Sequence, residues 1–380
     1  MMVKQTRYTP QGGWNPPLPL ELDSERTLVL AFAAPQFGAT LWALEGLLRA
    51  FPRSHKLGCS TAGEIAGAEV LDGSIVVAIA RFEKDTALRV AHAVVERAQR
   101  SRASGEQLAA ALIAPDLRAI LVLSEGIEVN GSALVQGLRA GLPAGVAVVG
   151  GLAGDAKRFE CTWVLSERGA LTHHASAVGF YGPHLRVGYG SAGGWNNCGV
   201  ERRVTRAQGN VLYELDGRPA LALYKEYLAE RAAELPLSGL LCPLGLRSGT
   251  DDTRLIVRTL LGTEESSQSL RFAGDVPQGA LAQLMRTSSE HLIQGAEMAG
   301  REAAAACARE TPQLAVAVSG VGRRLMLGPR TGEEVEAVLQ MMPKNTVQIG
   351  FYSYGEVAPT AGGLCDLQQQ TMSVTTLGEA

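Results

Sequence analysis

The stretch Leu57-Gly58-Cys59-Ser60-Thr61-Ala62-Gly63-Glu64-Ile65 decides the fold, because an apolar strand-like run here ends in a glycine followed by an acid. Two other stretches repeat this arrangement, Val149-Gly150-Gly151-Leu152-Ala153-Gly154-Asp155 and Gly350-Phe351-Tyr352-Ser353-Tyr354-Gly355-Glu356. Glycine permits a positive φ or a close backbone approach, and the acid then lies just beyond a buried strand. Loops of this kind on a rigid sheet are typical binding positions. A solvated turn is the plainer interpretation of any single copy, but three copies favour a shared role.

The second and third loops follow the same predicted order of helix, strand, helix and strand. The segments are 106–113, 119–123, 131–142 and 146–149 before the second loop, and 290–309, 314–318, 331–342 and 347–351 before the third. Pro143 and Pro343, which end corresponding helices, are 200 positions apart. The pattern predicts a mixed α/β (α+β) fold of two related domains, with mixed sheets flanked by helices and an internal pseudo-repeat.

The domain boundaries follow from breaks in this pattern. Pro16-Pro17-Leu18-Pro19 interrupts regular structure, so residues 1–25 are predicted to be a flexible leader, followed by an N-terminal domain over 26–212 and a C-terminal domain over 213–380. Segments 74–80 and 88–95 resemble two strands of a hairpin or meander. A glycine-rich stretch over 188–199 contains Trp195. It is either a flexible connector or a loop whose exposed indole contacts a ligand.

Composition excludes several classes of protein. The 380 residues are 46% hydrophobic and 19% charged, with a net charge of −3, which is typical of a soluble globular protein without a basic field for nucleic acid or anionic lipid. No apolar stretch approaches the roughly 20 residues that span a bilayer. No signal-peptide core precedes Trp14, so we expect a cytoplasmic protein with no membrane or nucleic-acid partner. The six cysteines include no C-x-x-C pair and are interpreted as reduced thiols.

Motifs for catalysis are missing from the sequence. There is no phosphate-binding P-loop, no G-x-S-x-G nucleophile elbow and no zinc-type histidine spacing, so we predict neither an enzyme nor a metal site. Cys59 follows an apolar run and is interpreted as a buried, unreactive thiol. Any of the six histidines could serve as an axial haem ligand, because haem needs a single imidazole and no spacing motif.

A polar small-molecule pocket remains the best interpretation. Arg323 and Arg324 follow the predicted strand 314–318, where they form either a carboxylate clamp or a solvated turn. Tyr352 and Tyr354 place two phenols on one side of the third loop. The predicted ligand-binding residues are Ser60, Thr61, Glu64, Asp155, Trp195, Arg323, Tyr352, Tyr354 and Glu356. We expect the three acids to face one cavity and to bind an amine or guanidinium group, while loop amides bind an acid group.

The first stretch also resembles the hallmark of FIST proteins, bacterial intracellular sensory proteins of signal transduction with paired N and C domains. Four further stretches agree with the family, in the family's order, from about residue 27 to the C-terminus. They are 150–155, Val204-Thr205 with the run from Asn210 to Leu228, Gly274-Asp275-Val276-Pro277, and 351–356.

The resemblance implies binding of a small ligand such as an amino acid, and signalling in trans to a separate output protein. An alternative that it implies is a haem-binding nitric oxide sensor that regulates a partner histidine kinase. Two departures concern this subgroup. Its members commonly read Ser-Cys-Val-Gly-Arg where this chain has Ser319-Gly320-Val321-Gly322-Arg323, and Leu-His-Asn-Gln-Thr-Met where this chain has Leu367-Gln368-Gln369-Gln370-Thr371-Met372.

Overall fold

One topological unit occurs three times along the chain. Two parallel strands are joined by a helix, a short hairpin then leaves the sheet, and a last strand returns antiparallel beside the first. The structure is a computed structural model that describes residues 1–39, 42–249, 255–305, 314–359 and 365–380. The strands at the centre of each unit are continuous apolar runs because both of their faces are buried.

The first unit covers residues 2–81. Its elements are β1 (Met2–Thr9), β2 (Gly13–Asn15), β3 (Thr27–Ala33), α1 (Trp42–Ala50), β4 (His55–Ser60), β5 (Glu64–Ala66), β6 (Glu69–Leu71) and β7 (Ile75–Arg81). β1 pairs antiparallel with β7 from Met2 to Tyr8. The prediction of a flexible leader is therefore wrong for this segment, because its backbone hydrogen bonds extend the sheet.

The second unit covers residues 87–181. Its elements are β8 (Ala87–Val94), α2 (Ser101–Leu112), β9 (Leu117–Ser124), α3 (Gly131–Ala140), β10 (Ala147–Leu152), β11 (Val164–Ser166), β12 (Gly169–Leu171) and β13 (His174–Tyr181). β8 pairs with β13, whereas β7 pairs with β1 and β3. The predicted hairpin of β7 with β8 is therefore wrong, since the two strands belong to different sheets.

The third unit is interrupted by an insert over residues 196–286. After β14 (Leu185–Ala192), the insert contains β15 (Asn196–Gln208), β16 (Val211–Leu215), β17 (Arg218–Pro219), α4 (Ala220–Leu228), β18 (Leu244–Arg247), β19 (Ile256–Arg258), β20 (Leu260–Glu264), β21 (Ser269–Phe272) and β22 (Leu281–Arg286). The predicted boundary between residues 212 and 213 falls inside β16.

The third unit then continues to the C-terminus. Its remaining elements are α5 (Ser289–Ala305), β23 (Leu314–Gly320), α6 (Val321–Leu327), α7 (Thr331–Gln340), β24 (Val347–Ser353), β25 (Gly355–Pro359), β26 (Cys365–Gln368) and β27 (Met372–Glu379). Short 3₁₀ helices lie at Leu20–Leu22, Pro35–Gly38, Ala98–Arg100, Ala229–Glu234, Leu237–Leu241 and Gly328–Arg330.

The hairpin of each unit joins the sheet of another unit. β5 of the first unit pairs with β24 of the third, β25 of the third pairs with β10 of the second, and β11 of the second pairs with β4 of the first. Three backbone hydrogen bonds follow the same cycle: Ala62 N to Tyr352 O at 2.8 Å, Gly154 N to Ser60 O at 3.0 Å and Tyr354 N to Leu152 O at 3.3 Å. The residues that form these three bonds all belong to the Gly–acid loops, so the loops lie at the contacts between units.

Equivalent glycines support the threefold repeat. A Cβ atom at Gly58, Gly150 or Gly350 would overlap a backbone carbonyl oxygen of the adjacent parallel strand. The mixed α/β class and the internal repeat predicted from the sequence are confirmed, and the structure shows that the repeat occurs three times.

Candidate functional site

A cavity of about 860 Å³ opens where the three units meet. The first unit contributes Thr61–Glu64 and the turn before β7, and the second contributes residues 156–158. The third unit contributes α6 and the start of α7. The walls therefore come from loops at the carboxyl ends of strands, the usual location of ligands in α/β sheets.

Glu64 lies in the wall of this cavity and is almost completely buried. Its Oε1 accepts a hydrogen bond from Thr61 Oγ1. Its Oε2 accepts hydrogen bonds from Ser74 N at 3.1 Å and Ser74 Oγ at 2.7 Å. Burial raises the pKa of Glu64 to about 7, although these hydrogen bonds oppose the shift. Both oxygens are engaged by donors of the protein, so this carboxyl group is not free to bind a cation.

Arg324 crosses from the third unit to the first. It forms two parallel hydrogen bonds to Asp72, from Nη1 to Oδ1 at 2.9 Å and from Nη2 to Oδ2 at 2.6 Å. Nη1 also donates to Ala62 O, and the guanidinium lies 5.5 Å from the centre of the Tyr352 ring. Gly63, with φ of 136°, permits this path because a Cβ there would overlap the guanidinium.

Two exposed cations face the same cavity from the second unit. Lys157 and Arg158 follow Asp155 after one residue, Ala156, and line the cavity. The Asp155 carboxylate accepts hydrogen bonds from the backbone N–H groups of Phe159 at 2.9 Å, Glu160 at 2.7 Å and Cys161 at 2.9 Å. Asp155 is thus a buried support of the loop that carries both cations.

The three acids do not face one cavity. Asp155 is buried, and besides the loop amides it accepts a hydrogen bond from the hydroxyl of Tyr354, whose ring stacks on Phe159 at 4.9 Å. Glu356 is fully buried and is not among the residues that line the cavity. The sequence shows that an acid follows each strand, but the direction of each side chain depends on packing between units.

Arg323 and Tyr352 belong to a buried network behind the cavity. Arg323 is fully buried, and its Nε and Nη2 donate to Glu334 Oε2 at 3.0 and 2.8 Å. Nη2 also donates to Leu292 O at 2.7 Å. The Tyr352 hydroxyl donates to Glu334 Oε1 at 2.7 Å. Arg323 therefore holds α6 against α7 and α5, whereas Arg324, one position further along the helix, points to the cavity.

Ser60 and Trp195 also serve the interior of the protein. Ser60 is fully buried, and its Oγ accepts a hydrogen bond from Trp163 N at 3.1 Å. Trp195 is 8% exposed and donates from Nε1 to Gln370 O at 3.0 Å. The expectation of an exposed indole is therefore wrong, because the ring packs with Met285, Leu292 and Leu327.

The predicted set thus divides between the cavity and the interior. Thr61 and Glu64 lie in the cavity wall, and the other seven predicted residues are buried in the interior of the protein. Sequence reasoning missed Asp72, Lys157 and Arg158 and preferred Arg323 to Arg324. The only signal for the two cations was their position one residue beyond the second Gly–acid pair.

The residues of the cavity do not fit haem. Among the described residues that line it there is no His, Cys, Met or Tyr, the side chains that serve as axial ligands. Likewise, the described residues include no group of three or more His, Cys, Asp or Glu side chains that could hold a metal ion. Burial raises the pKa of the Cys59 thiol well above its usual range, in agreement with an unreactive role.

Comparison with known families assigns both halves of the chain. A model of the FIST N domain matches residues 27–218, and a model of the FIST C domain matches residues 220–359. The chain belongs to the FIST family. FIST domains are sensory domains of signal transduction that bind small ligands. No helix within the described ranges has both the length and the apolar character needed to cross a membrane.

Relatives of this FIST protein occur in archaea and bacteria. An uncharacterised protein of Methanocaldococcus jannaschii is 28% identical over 166 residues, which cover 39% of this chain and 31% of the relative. Uncharacterised proteins of two Mycobacterium tuberculosis strains are each 28% identical over 257 residues, which cover 64% of this chain and 63% of the relative. The chain therefore matches less than two thirds of the length of each of these relatives.

Proposed function

We propose that this FIST protein senses a small polar metabolite, such as an amino acid, by binding it in the cavity between Glu64 and Arg324. The observation that carries the proposal is the cavity itself, whose walls come from all three units. Its volume of about 860 Å³ lies within the range of small-molecule sites, roughly 300–1,000 Å³. Arg324, Lys157 and Arg158 provide the few polar groups in the cavity wall that such sites use to orient a ligand.

The ligand would act as a bridge between units. A molecule that contacts the Thr61–Glu64 loop, residues 156–158 and α6 stabilises one relative placement of the three units. We propose that a separate output protein, such as a histidine kinase, reads this placement. Haem has no part in the proposal, because the described residues that line the cavity include no axial ligand. A Soret shift with stoichiometric haem uptake would contradict this view.

Thermal-shift measurements with a panel of amino acids and central metabolites test the proposal. Gly332 lines the cavity, and a Cβ there would meet only Ala68 O, at 3.9 Å, so Gly332→Leu is the variant chosen to fill part of the cavity. Gly46, on the exposed face of α1, has no atom within 4 Å of a Cβ and gives the matched control Gly46→Leu. We expect at least one compound to raise the Tm of the wild type and the Gly46→Leu variant but not that of Gly332→Leu. Absence of any stabilising compound, or equal shifts in both variants, would overturn the assignment.

A further inference from the structure

Arg324 is a fixed cation whose partner carboxylate is exposed to solvent. Its side chain is 22% exposed and contacts Ala62 O and the Tyr352 ring. These contacts fix the direction in which its two terminal nitrogens donate hydrogen bonds. Asp72, in the turn before β7, accepts these bonds, but the Asp72 side chain is 72% exposed. Because water can solvate this exposed carboxylate once it leaves Arg324, an anion of the same geometry can replace it.

Lys157 and Arg158 add positive charge to the cavity that this pair lines. Both are exposed at the cavity, and neither forms an ion pair with any described residue. Cations that converge on a cavity without acidic partners concentrate anions there.

The acidic groups of the cavity are already occupied. Asp72 accepts both of its hydrogen bonds from Arg324, and both oxygens of Glu64 accept hydrogen bonds from Thr61 and Ser74. The raised pKa of Glu64 further reduces its negative charge near neutral pH. An amine would therefore find no free carboxylate, contrary to the role expected for these acids from the sequence.

We propose that the ligand carries an oxyanion group, a carboxylate or a phosphate, which takes the place of Asp72 on Arg324 and is shared with Lys157 and Arg158. The planar guanidinium can donate two parallel hydrogen bonds to a carboxylate or to a phosphate. This inference rests on the proposed function and adds the charge of the ligand to it. Displacement of Asp72 would also release the β6–β7 turn of the first unit from α6 of the third.

The test compares small anions with neutral molecules of the same shape. Succinate and benzoate are titrated by calorimetry at low ionic strength beside succinamide and benzamide, and inorganic phosphate is titrated separately. We expect one or both kinds of anion to bind and the amides not to bind. Preference for the carboxylates or for phosphate then identifies which oxyanion the site takes. Binding of the amides as tightly as the carboxylates would overturn the inference.

Three variants locate the binding. Arg324→Gln removes the planar guanidinium and should weaken anion binding at least tenfold, because two hydrogen bonds between charged groups are lost. Arg168→Gln changes the charge equally at an exposed position away from the cavity and should leave affinity unchanged. Asp72→Asn removes the competing carboxylate and should tighten anion binding several-fold. Weaker anion binding by Asp72→Asn, or equal effects of the two arginine variants, would contradict the inference.

Failure of this inference is distinguishable from failure of the proposed function. If a neutral or cationic metabolite binds and Gly332→Leu abolishes its binding, the sensory site stands and the oxyanion inference is overturned. If neither the metabolite panel nor the anions bind, both are overturned.

Discussion

Glu64 and Glu356 accept the same set of hydrogen bonds in the first and third units. Each receives one from a hydroxyl three residues earlier, Thr61 or Ser353, on Oε1. Each also receives two on Oε2, from the backbone N and the hydroxyl of the residue before the last strand of its unit, Ser74 or Thr371.

The surroundings of the two carboxyl groups differ. Glu64 borders the open cavity, whereas Gln370, next to the Thr371 that donates to Glu356, contacts the insert. There, Gln370 Nε2 donates to Leu240 O at 3.3 Å and to Thr259 Oγ1 at 3.2 Å. The same construction therefore serves as a cavity wall in one unit and as packed interior in another.

Stability should fall as the pH rises from about 4.5 to about 7. Burial raises the pKa of Glu64 and of Glu356 from 4.5 to about 7, so the folded protein binds more protons than the unfolded chain in this interval. Below pH 4.5 both carboxyl groups are protonated in the folded and in the unfolded protein, and the free energy of unfolding is highest. As the pH rises through 7, each group lowers the free energy of unfolding by about 3 kcal/mol. Urea unfolding at a series of pH values measures this slope.

Glutamine at position 64 or 356 should reduce the dependence of the free energy of unfolding on pH, because its amide resembles the protonated acid. We expect Glu64→Gln to match the wild type near pH 4 and to be more stable at pH 8. Glu45→Gln, at an exposed position on α1, is the control. Parallel curves for Glu64→Gln and the wild type would contradict the assignment of the slope.

Arg323 should contribute to stability rather than to ligand binding. Arg323→Met leaves Glu334 buried without its cation and should lower the free energy of unfolding by about 3–5 kcal/mol. Arg330→Met removes exposed ion pairs to Glu290 and Glu333 and should cost about 1 kcal/mol or less. Urea unfolding compares the two, and equal losses would show that the buried pair is unimportant.

Gly350 should tolerate no side chain. A Cβ there would overlap Ala317 O of the adjacent strand, so Gly350→Ala should unfold or aggregate the protein. Gly46→Ala places a Cβ in open space on a helix and should raise stability by about 0.5–1 kcal/mol. Thermal unfolding of both variants checks this pair, and a Tm for Gly350→Ala near that of the wild type would contradict the close approach.

Asp155 should act as a positioning residue for Lys157 and Arg158. Asp155→Asn replaces an acceptor oxygen with an amino group opposite backbone N–H donors, so the loop over residues 156–161 should loosen. We expect faster proteolysis after Lys157 or Arg158 together with weaker binding of whichever compound stabilises the wild type. Weaker binding with unchanged proteolysis would instead indicate direct contact of Asp155 with the ligand.

Periodicity and turn residues predicted the strands and helices around the Gly–acid loops. Thr27–Ala33 and the order α3, β10, α7, β24 were predicted from apolar runs ended by Pro or Gly. The exchanged hairpins could not be predicted, because β5 and β11 each contain three residues and have no period of their own. Arg323 and Arg324 are adjacent, and only the packing of α6 decides which is buried. The sequence does not distinguish Lys157 and Arg158 from other charged loop residues, and only the fold brings them to the cavity that Arg324 lines.

The exchange of hairpins also constrains how the chain folds during synthesis. β10 acquires its neighbour β25 only after a further 200 or so residues have been made, since Gly150 pairs with Val357. Until then the second sheet presents an open hydrogen-bonding edge, a common starting point for aggregation. Long-range pairing of this kind slows folding. Expression of residues 1–183 alone should therefore yield an insoluble product, whereas co-expression with residues 184–380 should restore a soluble complex.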